Sequence, residues 1–139
     1  MSTMPSPVRA PKHVLELLSR LHAASLEQEA ALSSKKKVFS SEIISDMEKR
    51  LAGRGDAKTD FDKLMLDKFI ALDEDKCHFV YQLINATGAT NVIEAGTSFG
   101  VSTIYLALAT SQAKAATGKT GTVIATEKEP QKAATARAY

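Results

Sequence analysis

Two short apolar runs constrain this chain more than any other feature. Asn91-Val92-Ile93-Glu94-Ala95 and Thr122-Val123-Ile124-Ala125-Thr126 each read as a short strand, and each has an acid at or just past its end, Glu94 in the first and Glu127 after the second. Between them lies a glycine-bearing turn, Gly96-Thr97-Ser98-Phe99-Gly100, and then a helical run from Phe99 to about Lys114. Strands joined by a helix run parallel, and the crossover is expected to be right-handed. Both runs carry apolar residues on both faces, the pattern of strands covered by helices on both sides.

The elements before and after extend this pattern. Residues 1–11 hold Pro5, Pro7 and Pro11 and read as a disordered lead-in. From Lys12 to about Ser33, Val14, Leu17, Leu18, Leu21, Ala24 and Leu32 recur at helical spacing. Residues 42–52 predict a second helix, capped by Ser40 or Ser41 and stopped at Gly53. Thr59 with Asp62 signals another helix start, with Phe61, Leu64, Met65, Phe69 and Leu72 on one face. Asp73 restarts the helix, Phe79, Val80, Leu83 and Ile84 form its apolar face, and Gly88 ends it. A last helix is expected over 130–138. Helices followed by β-α-β-α are the opening of an α/β domain, and 139 residues allow one such domain.

Composition narrows the function classes. A net charge of +2, with Lys35-Lys36-Lys37 as the only basic run, argues against a nucleic-acid partner. No run reaches the roughly 18 apolar residues of a membrane span, and residues 1–14 lack the apolar core of a signal peptide, so no membrane partner is expected and the cytoplasm is the default compartment. Cys77, the single cysteine, lies in an apolar pattern and reads as a buried inert thiol. His13 and His22 read as solvated. Lys76, Cys77 and His78 are helix neighbours that do not face one another. Tyr105 and Phe99 read as core. Arg54-Gly55-Asp56 and Gly118-Lys119-Thr120 are short chance motifs in turns.

The glycine turn is built to meet a ligand. Gly96 permits a tight turn and close backbone approach, and Gly100 lets the helix start lie against the strand. The free N–H groups of the first helical turn suit a carboxylate or phosphate. The pattern is G-x-S-x-G, without the second glycine that admits a pyrophosphate, which disfavours an NAD(P)-dependent oxidoreductase. A hydrolase elbow would make Ser98 a nucleophile, but no histidine follows it in the chain. Glu127, 27 residues after Gly100, is placed to accept two ribose hydroxyls.

VIEAGTSFGVSTIYLA followed by ATEKEP resembles the S-adenosylmethionine-dependent O-methyltransferases of the catechol and caffeoyl-CoA type, O-methyltransferase family three. Glu94, Gly96, Gly100 and Ser102 fall on that family's first motif, and Glu127 with Pro130 on its second. The resemblance covers about residues 60–139. It implies a truncated Rossmann-like fold, with a helical segment over 12–58 and the first part of a cofactor-binding domain over 59–139. It implies S-adenosylmethionine as cofactor, with Glu94 and Ser102 near its methionine end, the backbone of Gly96, Thr97, Ser98 and Gly100 along it, and Glu127 on its ribose. The implied acceptor is a small, phenolic hydroxyl compound. The family's metal-binding carboxylates and catalytic residues lie on later strands, so the expectation is no catalytic or metal-binding residue here and a divalent metal only in full-length relatives. Two strands are few for a lasting sheet, so low stability is expected, with homo-oligomers forming through an exposed sheet edge or the N-terminal helices. A non-catalytic fragment or pseudoenzyme acting by protein–protein association is the rival reading.

Overall fold

Tyr81 and Tyr105, two of the largest fully buried side chains, come from two helices packed along each other, and the fold is arranged around that pair. The computed structural model describes residues 6–34, 44–45, 48, 52, 65–69 and 71–139. The expected helices over 42–52 and from Thr59 lie outside these residues or at scattered positions among them. Residues 1–22 with 70–139 form one compact unit, and Ala23–Phe69 form another. In the second unit the Phe69 N–H donates to Gln28 Oε1 at 2.9 Å.

Four helices and a two-stranded parallel sheet are seen among the described residues, giving a mixed α/β architecture. Helix α1 is Lys12–Ser34. Its periodicity buries Leu18 and Leu21, as expected. Helix α2 is Glu74–Thr87, with Asp73 at its N-cap and Glu74 and Asp75 in its first turn, where acids suit the helix dipole. It stops at left-handed Gly88, whose N–H returns to the Ile84 carbonyl. Strand β1 (Val92–Ala95) pairs in parallel with β2 (Val123–Thr126), Glu94 opposite Ala125 and Ala95 opposite Thr126. Helix α3 (Val101–Thr117) connects them, burying Val101, Tyr105, Leu106, Ala109, Thr110 and Ala113. Helix α4 (Pro130–Ala138) opens on a proline, tolerated there because the first turn has no use for its missing N–H.

Four expectations change. Residues 6–11 are not a disordered lead-in. Val8 is buried, the Arg9 N–H donates to Tyr81 Oη at 3.0 Å, Tyr81 Oη–H donates to Gln112 Oε1 at 2.7 Å, and Gln112 Nε2 donates to the Arg9 carbonyl at 2.8 Å. This closed ring ties the segment to α2 and α3. His22 is not solvated: it is buried, with Nε2 3.0 Å from Tyr105 Oη. The inward face of α2 is Cys77, Tyr81 and Ile84, while Phe79 and Leu83 are 67% and 48% exposed. That helix carries apolar residues on two stripes, and α3 takes the one bearing the tyrosine. The sheet is covered on one face only among the described residues, with Val92, Glu94 and Val123 half-buried and the register partners Ile93 and Ile124 exposed.

No described helix is long and apolar enough to cross a membrane. The strands start side by side because Gly121 has no side chain: a Cβ there would lie 1.9 Å from the Thr90 carbonyl oxygen. Backbone cannot yield as a side chain can. Gly121→Ala should therefore cost about 3 kcal/mol in urea unfolding, at the upper end of overpacking effects.

Candidate functional site

At the C-terminal end of β1 the chain turns through three left-handed residues, Gly96 (φ 85°), Ser98 (φ 51°) and Gly100 (φ 84°). Glycine is suited to two of these positions, and a serine at the third costs roughly 1 kcal/mol of backbone strain. Hydrogen bonds offset that cost. The N–H groups of Gly96 and Thr97 both donate to the Thr126 carbonyl, at 3.0 and 2.9 Å, which stitches the turn to the end of β2. The Ser98 N–H donates to Glu127 Oε2 at 2.8 Å.

The two acids hold the turn from opposite sides. Glu94 Oε1 accepts the Ser102 hydroxyl at 2.5 Å, and Oε2 accepts the Thr97 hydroxyl at 2.5 Å and that of Thr103. Ser102 and Thr103 stand in the first turn of α3, so one carboxylate fixes the strand end, the turn and the helix start together. Glu127 spans the turn and its own loop, with Oε1 accepting the Glu129 N–H at 2.9 Å. A carboxylate offers about four lone-pair sites. Glu127 therefore keeps two for a ligand, and Glu94 keeps one.

Gly100 permits a close approach, but not to the strand. A Cβ at Gly100 would sit 3.0 Å from Ala136 Cβ, so the neighbour it admits is α4. At Gly96 a Cβ would meet nothing within 4 Å, so the positive φ is what calls for glycine there. The Ser98 hydroxyl is buried without a protein partner, and no histidine bonds to it, so it has no base to activate it as a nucleophile.

All seven residues expected at the site gather around this one turn, but they do not line one cavity. Glu94, Gly96 and Ser102 line a groove of about 480 Å³ with Leu72, Cys77 and Tyr105. Thr97, Gly100 and Glu127 line a second, of about 530 Å³, with Thr103 and Arg137. Ser98 lines neither. Thr103 went unrecognised in the sequence, although a hydroxyl pair at Ser102-Thr103, just inside a helix that follows a strand-terminal acid, is a readable signal. Among the described residues no three or more histidine, cysteine or acidic side chains are placed to hold a metal ion.

Cys77 is buried, as expected, and its Sγ–H donates to the Leu72 carbonyl at 3.4 Å. Burial first, then the negative charge of Glu94 and the acids at the start of α2, pushes its pKa up to about 12. No protein-family model matches the chain, and the curated proteins give no match.

Glu94→Ala removes the shared acceptor of three hydroxyls, of which only Thr97 and Thr103 still reach each other, and should cost about 2 kcal/mol in chemical unfolding, with Glu94→Gln costing less. Cys77 should resist a thiol-reactive probe at pH 7.5 in the native chain and label within minutes in urea, read by mass spectrometry, because only the exposed thiolate reacts.

Proposed function

We propose that this chain forms the cofactor-binding beginning of an S-adenosylmethionine-dependent O-methyltransferase with a Rossmann-like sheet. The observation that carries the reading is the placing of two carboxylates, Glu127 with two accepting sites left and Glu94 with one, at the ends of adjacent parallel strands flanking a left-handed turn. In open α/β sheets the C-terminal strand ends are where ligands bind. The free lone pairs of Glu127 suit the two ribose hydroxyls, and Glu94 with Ser102 suits the ammonium of the methionine end. The backbone from Gly96 to Gly100 lies between them. When bound, the cofactor supplies a sulfonium methyl open to attack by an acceptor hydroxyl. The turn's part is to hold it in one place, since methyl transfer depends on alignment. The acceptor reads as a small, phenolic compound.

A second reading rests on a different observation. Ile93 and Ile124 are 77% and 53% exposed, and a two-stranded sheet has two outer edges. A chain that works by pairing its sheet with another protein would look the same there.

Isothermal titration with S-adenosylhomocysteine separates the two. One-to-one binding is expected, weakened tenfold or more by Glu127→Ala, the scale of a lost charge-assisted hydrogen-bond pair. A folded chain that binds nothing, and whose mass by light scattering rises with concentration, would favour association.

A further inference from the structure

Two buried or part-buried contacts tie residues 6–22 to α2 and α3, beside an exposed one from Ser6 to His78. The first is the ring through Arg9, Tyr81 and Gln112. The second is His22, whose Nε2 lies 3.0 Å from Tyr105 Oη. The Tyr105 ring is flanked by two imidazoles, with the centroids of His22 and His78 each 5.8 Å from its own. The charged and titratable groups facing His22 are Tyr105 on α3, and Glu74, His78 and the cap residue Asp73 at the start of α2. The N-terminal segment contributes uncharged Ser6, whose hydroxyl is 3.4 Å from His78 Nε2. Glu74 itself lies against His78, at 3.8 Å.

We propose that residues 6–22 form an acid-opened latch whose trigger is His22. In the closed state a neutral imidazole can accept the Tyr105 hydroxyl proton at Nε2. Protonation turns that nitrogen into a donor, and the tyrosine proton loses its acceptor in a site away from water. Tyr105 cannot compensate by ionising, because burial raises its pKa. The new imidazolium would be buried, beside a second histidine, and the acid that attracts it most lies 3.8 Å from that second histidine. Opening the segment moves the charge into water and uncovers Val8, Leu18 and Leu21.

The direction in pH follows. Burial, reinforced by His78 and opposed by Glu74 and Asp73, lowers the His22 pKa below the ordinary 6.5. The open form therefore binds the proton first. The closed form holds its full stability above pH 6.5 and loses it as pH falls below that value toward the folded pKa. The latch stands apart from the cofactor reading, since none of the seven turn residues takes part.

Hydrogen exchange on the whole chain, corrected for intrinsic rates, tests the idea at pH 7.5 and 5.5. The opening equilibrium of residues 6–22 should rise, by up to roughly tenfold at one unit below the open-state pKa, while peptides from α3 keep their protection. His22→Gln, which keeps an acceptor for Tyr105 but takes no charge, should flatten the response. Equal responses in the two proteins, no response in the wild type, or a rise spread evenly over α3 would each overturn the latch. Should His22→Gln fail to fold, the wild-type His22 ring titrated by NMR decides: a midpoint depressed below 6.5 supports the latch, and an ordinary midpoint overturns it.

Discussion

Parallel strands cannot be joined by a tight turn, and this constraint sets the rest of the structure. The route from the end of β1 to the start of β2 must run back along the sheet, and α3 is that route. Among the described residues the same helix buries more apolar side chains than any other element. Tyr105 and Leu106, both buried, each contribute on the order of 2 kcal/mol by leaving water, and Ala109 and Ala113 are buried with them. Because the helix must start where β1 stops, its first turn falls beside Glu94, and its hydroxyls reach back to that carboxylate. One crossover thus positions the core, the turn and the acids.

The elements with local signals could be read directly from the sequence. Gly88 stopped α2, the two apolar runs paired in parallel, and α3 and α4 began within two residues of the expected positions. What escaped reading depends on partners far along the chain. Three prolines in the first eleven residues suggested disorder, yet Arg9 is held by Tyr81, 72 positions away. His22 looked solvated because nothing near it in sequence announces Tyr105. Phe79 and Leu83 fit an apolar stripe as well as Cys77, Tyr81 and Ile84 do, and only the helix packed alongside decides between the stripes. At the site, the gathering of seven residues around one turn was legible in spacing. Their division between two grooves, and the inward aim of Thr103, was not, since both depend on how α3 and α4 lie against the turn.

Glu94 and Glu127 occupy equivalent places on neighbouring strands but carry different loads. Glu94 is nearly saturated by hydroxyls of the chain itself, so it acts first as a brace for the start of α3. Glu127 is held by two backbone N–H groups and retains more accepting capacity. A substitution at Glu94 therefore mixes stability with any effect on a ligand, whereas one at Glu127 reports more cleanly on binding.

The ring that fastens the N-terminal segment uses Arg9 only through its backbone N–H and carbonyl, while the Arg9 side chain is left exposed. Attachment of this kind is blind to residue identity. Evolution can change position 9 to almost anything except proline, which lacks the N–H, without loosening the segment. Tyr81 and Gln112 have no such freedom, because their side chains are the fastening. Sequence variation around this contact should therefore be lopsided, drifting on the strap and fixed on the helices that hold it.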